Sequence, residues 1–133
     1  MGKRSTSRRL AMQAVYQAEV SNISAKEALE NLKENEVFIP ETLQFAQDLA
    51  LSAWEHKEKI ALTISKYAID WSLERIGWVD RAILVIAIEE IEQGVTPPSV
   101  VINEAVELAK KYSTIEAAKF INGILGTYLK DRA

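Results

Sequence analysis

Lys3, Arg4, Arg8 and Arg9 all precede the first acidic residue, Glu19, so a chain whose net charge is only −3 begins with a concentrated positive patch. A polyanion meets that patch before it meets the net charge. On a helix Arg9, Met12, Gln13 and Tyr16 share one side, opposite an apolar stripe of Leu10, Ala11, Ala14, Val15 and Ala18. An outward aromatic beside cations is suited to single-stranded RNA, because cations hold the backbone and a flat ring stacks on a splayed base. Tyr16 could equally cover a neighbouring helix with its ring and leave its hydroxyl wet, and the local residues leave both readings open. Phe120, next to Lys119, sits at the edge of the last helix's apolar stripe, where core packing is the ordinary reading.

Residues for covalent or metal chemistry are scarce. His56 is the sole histidine, and the positions four before and four after it are Ser52 and Ile60, so no second ligand lies one helical turn away. No cysteine, P-loop, G-x-G-x-x-G or G-x-S-x-G is present. The acid pairs Glu89-Glu90 and Glu104 with Glu107 read as exposed helix charge. No catalytic residue, metal or cofactor is expected, and the chain is predicted not to be an enzyme.

The elements that must position these residues are helices. A chain of 133 residues, 48% hydrophobic and 26% charged, suits one soluble domain with a core of its own. Absence of cysteine suits a reducing cytoplasm. The amino terminus has no continuous apolar region of a signal peptide, and the longest apolar run, Ala82 to Ile88, is seven residues, too short to span a membrane.

The spacing predicts a first helix over about 7–20 and a short second helix capped by Ser24 with Glu27. Pro40 starts a third, carrying Leu43, Ala46, Ala50, Trp54 and Ala61 and ending near Ser65. A segment through Tyr67, Trp71 and Leu73 is expected to stop at Gly77 with a left-handed cap. Ala82–Ile88 has no second apolar strand to pair with and reads as a central buried helix. Gly94 and Pro97-Pro98 separate it from a helix with Val101, Ala105, Leu108, Ala109 and Tyr112 inside and a Glu107–Lys111 pair outside. Ser113 with Glu116 repeats the capping pattern before a last helix presenting Ala117, Ile121, Ile124, Leu125 and Tyr128. The fold class is all-α: a single domain over 1–133 of six or seven helices in two packed bundles, about 1–76 and 77–133.

Four blocks resemble the NusB family in order and spacing: Arg8-x-x-Ala11-x-Gln13-Ala14-Val15-Tyr16; Asp80-Arg81-Ala82-Ile83-Leu84; Pro98-x-x-Val101-Ile102-Asn103-Glu104-Ala105-Val106-Glu107-Leu108-Ala109-Lys110; and Lys119-Phe120-Ile121-Asn122-Gly123-Ile124-Leu125. The resemblance implies a NusB-like fold and a transcription antitermination factor. It implies binding to the boxA element of nascent ribosomal RNA transcripts together with the ribosomal protein NusE, in the RNA polymerase antitermination complex. It carries RNA contact onto Lys3, Arg4, Arg8, Arg9, Tyr16, Lys119 and Phe120. Some relatives form homodimers, so the alternative is a helical interaction or self-association module without specific RNA binding. The chain departs from the family's pattern where Ser5-Thr6-Ser7 interrupts the basic run, at Glu89 and at Gly126.

Overall fold

The computed structural model describes residues 3–69 and 71–132, the side chains of Lys3 and Leu73 excepted. Among these residues there are seven α-helices and no strand: α1 (Lys3–Ser21), α2 (Ala25–Lys33), α3 (Pro40–Glu55), α4 (Lys57–Tyr67), a single 3₁₀ turn (Leu73–Arg75), α5 (Trp78–Gln93), α6 (Pro98–Tyr112) and α7 (Ile115–Arg132). α5 is the axis, packing against α1, α3, α4, α6 and α7, which is why its residues from Ala82 to Ile91 are all buried and its sequence has no polar stripe. α1 lies on α2, α3 and α5, and α6 pairs with α7. No helix among the described residues is long and apolar enough to cross a membrane.

Local signals set most boundaries. The Glu27 backbone N–H donates to Ser24 Oγ at 3.1 Å at the start of α2, and Pro40 occupies the first turn of α3, where a missing N–H costs nothing. Gly94 ends α5 at φ 71°, a left-handed conformation that side-chain-bearing residues adopt at a cost.

Several expectations need correction. α1 begins at Lys3, a full turn before position 7, and Met12 is buried rather than outward. The third helix does not run to Ser65: it breaks at His56 (φ −98°, ψ 11°), where α3 gives way to α4. No proline or glycine marks the break. It is pinned from α5, where Glu89 meets His56 Nδ1 at 3.0 Å and accepts from Ser52 Oγ, so His56 is half-exposed but engaged. Gly77 is not a left-handed cap; it has φ −59° and begins α5. The cap of α7 is Thr114, whose Oγ1 accepts from the Ala117 N–H at 2.9 Å, while Ser113 closes α6. On α6 the exposed pair joins Glu107 to Lys110, not Lys111.

Candidate nucleic-acid interface

The amino-terminal cations with described side chains do not form one free patch. Arg8 is only 5% exposed. Its Nε and Nη2 donate to the two carboxylate oxygens of Glu90 at 2.8 and 2.6 Å, and its Nη1 donates to Glu104 Oε1 at 3.0 Å. Burial alone would pull the guanidinium's pKa down, but the hydrogen bonds and charge of Glu90, and then of Glu104, outweigh it and hold it above its ordinary value. Two fixed forks facing each other is the geometry that arginine and carboxylate share best. The reading of Arg8 as an outward phosphate contact is therefore corrected: it is an internal ion-pair member joining α1 to α5 and α6. The same network corrects the reading of the acid pairs, since Glu89 and Glu90 are buried at 4% and 3% exposure and each has partners.

Arg4 and Arg9 are the described cations of this end that reach the surface. Arg4 is exposed, its guanidinium 3.9 Å from the ring centroid of Phe45 on α3. Arg9 is part-exposed and meets Glu36, in the α2–α3 connection, through Nη1 at 3.2 Å and Nη2 at 3.0 Å; its Nη1 also reaches Gln13 Oε1 at 3.2 Å. A phosphate would have to replace Glu36 to take that fork. Tyr16 is exposed on the same side of α1 as Arg9 and Gln13, as an outward ring should be. Lys3 lies in the first turn of α1, with its side chain outside the description.

Lys119 and Phe120 occupy a different part of the molecule. Among the described residues α7 touches α4, α5 and α6 and does not reach α1. Lys119 is exposed, and Phe120 is part-buried against Trp71 with ring centroids 5.8 Å apart. Trp71 is 46% exposed and carries the Arg75 guanidinium 4.9 Å from its ring centroid. This aromatic–cation group was not legible along the sequence, because Trp71 and Phe120 lie far apart in the chain and Trp71 is spaced like a core residue. Glu36 and Phe45, which hold Arg9 and Arg4, likewise carry no local signal.

The four blocks that resemble a known family lie on α1, α5, α6 and α7 of this all-helical frame, and comparison decides the matter. The NusB family model matches residues 5–130. The chain belongs to the NusB family. It is 39% identical over 130 residues to the transcription antitermination protein NusB of Bacillus subtilis (strain 168), covering 97% of this chain and 96% of that one. Its fold is similar to that of NusB from T. maritima, with TM-score 0.88 and 31% identity over 98% of this chain and 92% of the other. It is similar also to a crystal structure of the antitermination factors NusB and NusE in complex with dsRNA, with TM-score 0.90 and 27% identity over 97% of each chain. In this NusB-family chain the helical frame is thus shared with its relatives.

Proposed function

We propose that this chain is a transcription antitermination factor that acts by binding alone. It takes a boxA-type single-stranded RNA of nascent ribosomal transcripts together with the ribosomal protein NusE, within the RNA polymerase antitermination complex in the cytoplasm. The observation that carries the reading is the near full-length likeness to a NusB seen with NusE and RNA. In this reading Arg4 and Arg9, with Lys3, hold phosphates, and Tyr16 stacks on a base. Lys119 and Phe120 add a second patch on α7. Arg8 keeps α1 in place instead of touching RNA. No reaction is catalysed.

Phosphate contacts and sequence-tolerant stacking hold RNA without choosing it, so NusE supplies much of the discrimination. If the two ligands share a surface, each raises the other's affinity by the same factor, typically about 5- to 150-fold. The test is a titration of a boxA single strand with and without saturating NusE, repeated with a scrambled strand and with the duplex form. Preference for the single strand, sharpened by NusE, is expected. Equal binding of all three RNAs with no effect of NusE would overturn the reading and leave an interaction module, and isotherms shifting with protein concentration would report a homodimer.

A further inference from the structure

The first turn of α1 forms against its own local physics. It contains no acidic residue, and its cations stand at the end of the helix where the backbone dipole is already positive. Residues 3–6 are nonetheless helical. What offsets the local cost comes from elsewhere in the chain. Ser5 Oγ donates to Glu104 Oε1 at 2.6 Å, and Arg8 Nη1 donates to the same oxygen at 3.0 Å. One carboxylate oxygen on α6 thus ties together two residues almost one turn apart on α1, some hundred positions away in sequence. Ser7 Oγ, donating to the Thr42 carbonyl at 2.8 Å, and the Arg4–Phe45 contact grip the same turns from α3.

Ser5 and Ser7 are two of the three residues that interrupt the basic run. Their hydroxyls are donors that dock it, which gives the interruption a physical role: each makes a short contact without adding positive charge to the first turns. Arg4 lies one residue before Ser5, so where Ser5 is held, the backbone that carries Arg4 is held too. Ordering a cation before it meets its phosphate removes part of the entropy that binding must otherwise overcome.

We propose that Glu104 is a positioning residue for RNA binding: by accepting from Ser5 and Arg8 it turns a basic segment that would otherwise fray into a fixed helical turn, and so presents Arg4 to the RNA backbone. This rests on the RNA-binding reading above. It goes beyond it in assigning an acidic residue, which repels RNA in its own right, a favourable part in binding.

The experiment is a double-mutant cycle of Glu104→Gln and Arg4→Ala in the full chain, titrated with a boxA-type single strand at 50 and 200 mM salt. Glu104→Gln keeps the size of the side chain but replaces one carboxylate oxygen by an NH2 and leaves the other a weaker, uncharged acceptor for two donors, while Glu90 still neutralises Arg8. It is expected to weaken binding and to lower the log-log salt slope by about 0.7, the value for one single-strand phosphate contact, so that the wild-type advantage shrinks roughly 2.5-fold between the two salts. In the Arg4→Ala background the same change is expected to do almost nothing. A Glu104→Gln effect of equal size in both backgrounds, or stronger binding because a negative charge has gone, overturns the proposal. Ser5→Ala, which leaves every charge in place, guards against misfolding of the first variant and is expected to repeat the pattern. Backbone chemical shifts of residues 4–7, measured without RNA, are expected to move towards coil values in both variants. Unmoved shifts refute the tether even if the wild type bound no RNA, whereas failure of the wild type to bind, with the shifts moved, refutes only the RNA reading.

Discussion

Arg8 and Arg9 are neighbours in sequence with the same side chain, and the structure gives them opposite expected phenotypes. Arg8 is 5% exposed and neutralises Glu90, itself 3% exposed, so Arg8→Ala leaves a buried carboxylate without its counter-charge. Breaking a buried pair by removing one partner costs about 3–5 kcal/mol. Unfolding entropy of about 2.1 cal/mol/K per residue makes 1 kcal/mol worth about 3–4 °C in a chain of 133 residues, so a drop in Tm of about 10–18 °C is expected. Arg9 pairs with Glu36 at the surface, the Glu36 side chain being 48% exposed, and such pairs contribute only about 0.2–1 kcal/mol. Arg9→Ala should therefore shift Tm by no more than about 4 °C while lowering the salt slope of RNA binding by about 0.7. The assay is thermal melting by circular dichroism alongside RNA titration at several salt concentrations. Replacing both partners, as Arg8→Met with Glu90→Leu, removes the orphaned charge and should recover much of the lost stability. An Arg8→Ala protein that melts like the wild type but binds RNA with a reduced slope would refute the assignment and return Arg8 to the RNA surface.

Tyr16→Ala is expected to weaken single-strand binding by about 1–3 kcal/mol with little change in Tm, whereas Phe120→Ala should lower both, since its ring is packed on Trp71. A large fall in Tm for Tyr16→Ala would show its ring to be structural. Ser24→Ala removes the cap of α2 and should lower stability by about 1 kcal/mol without touching RNA affinity, since neither α2 nor its cap carries a proposed contact. Tyr128 donates to Glu92 from a buried site, and burial, then that hydrogen bond and charge, raise its phenol above the ordinary value of 10.0. The unfolded chain therefore loses this proton first, so its contribution to stability is complete below about pH 10 and falls as pH rises beyond that. Chemical denaturation from pH 8 to 11 should show a shallower alkaline decline for Tyr128→Phe than for the wild type, and identical slopes would refute the shift.

The sequence by itself determined the fold class, most helix positions and the apolar faces, because these follow from a period of 3.6 residues and from capping residues acting within one turn. Helical phase relative to Leu10, Ala14 and Ala18 put Tyr16 on the outer side together with Met12, and only packing decided that Tyr16 stays exposed while Met12 is buried. The break at His56 was not legible, since no proline or glycine marks it and the residue that meets it there, Glu89, lies thirty-three positions away on α5. Nor was the extra turn at the start of α1, which local charge opposes and Glu104 supports from α6. Arg4, Arg8 and Arg9 look alike in a list of cations, and only packing separated them. Arg8 is internal because two carboxylates from α5 and α6 converge on it, whereas Arg9, met by Glu36 from the α2–α3 connection, and Arg4, set on the Phe45 ring of α3, reach the surface. Likewise the pairing of Phe120 with Trp71, and its distance from α1, were settled by how α7 docks on α4 and α5, a relation between distant segments that neither spacing nor composition encodes.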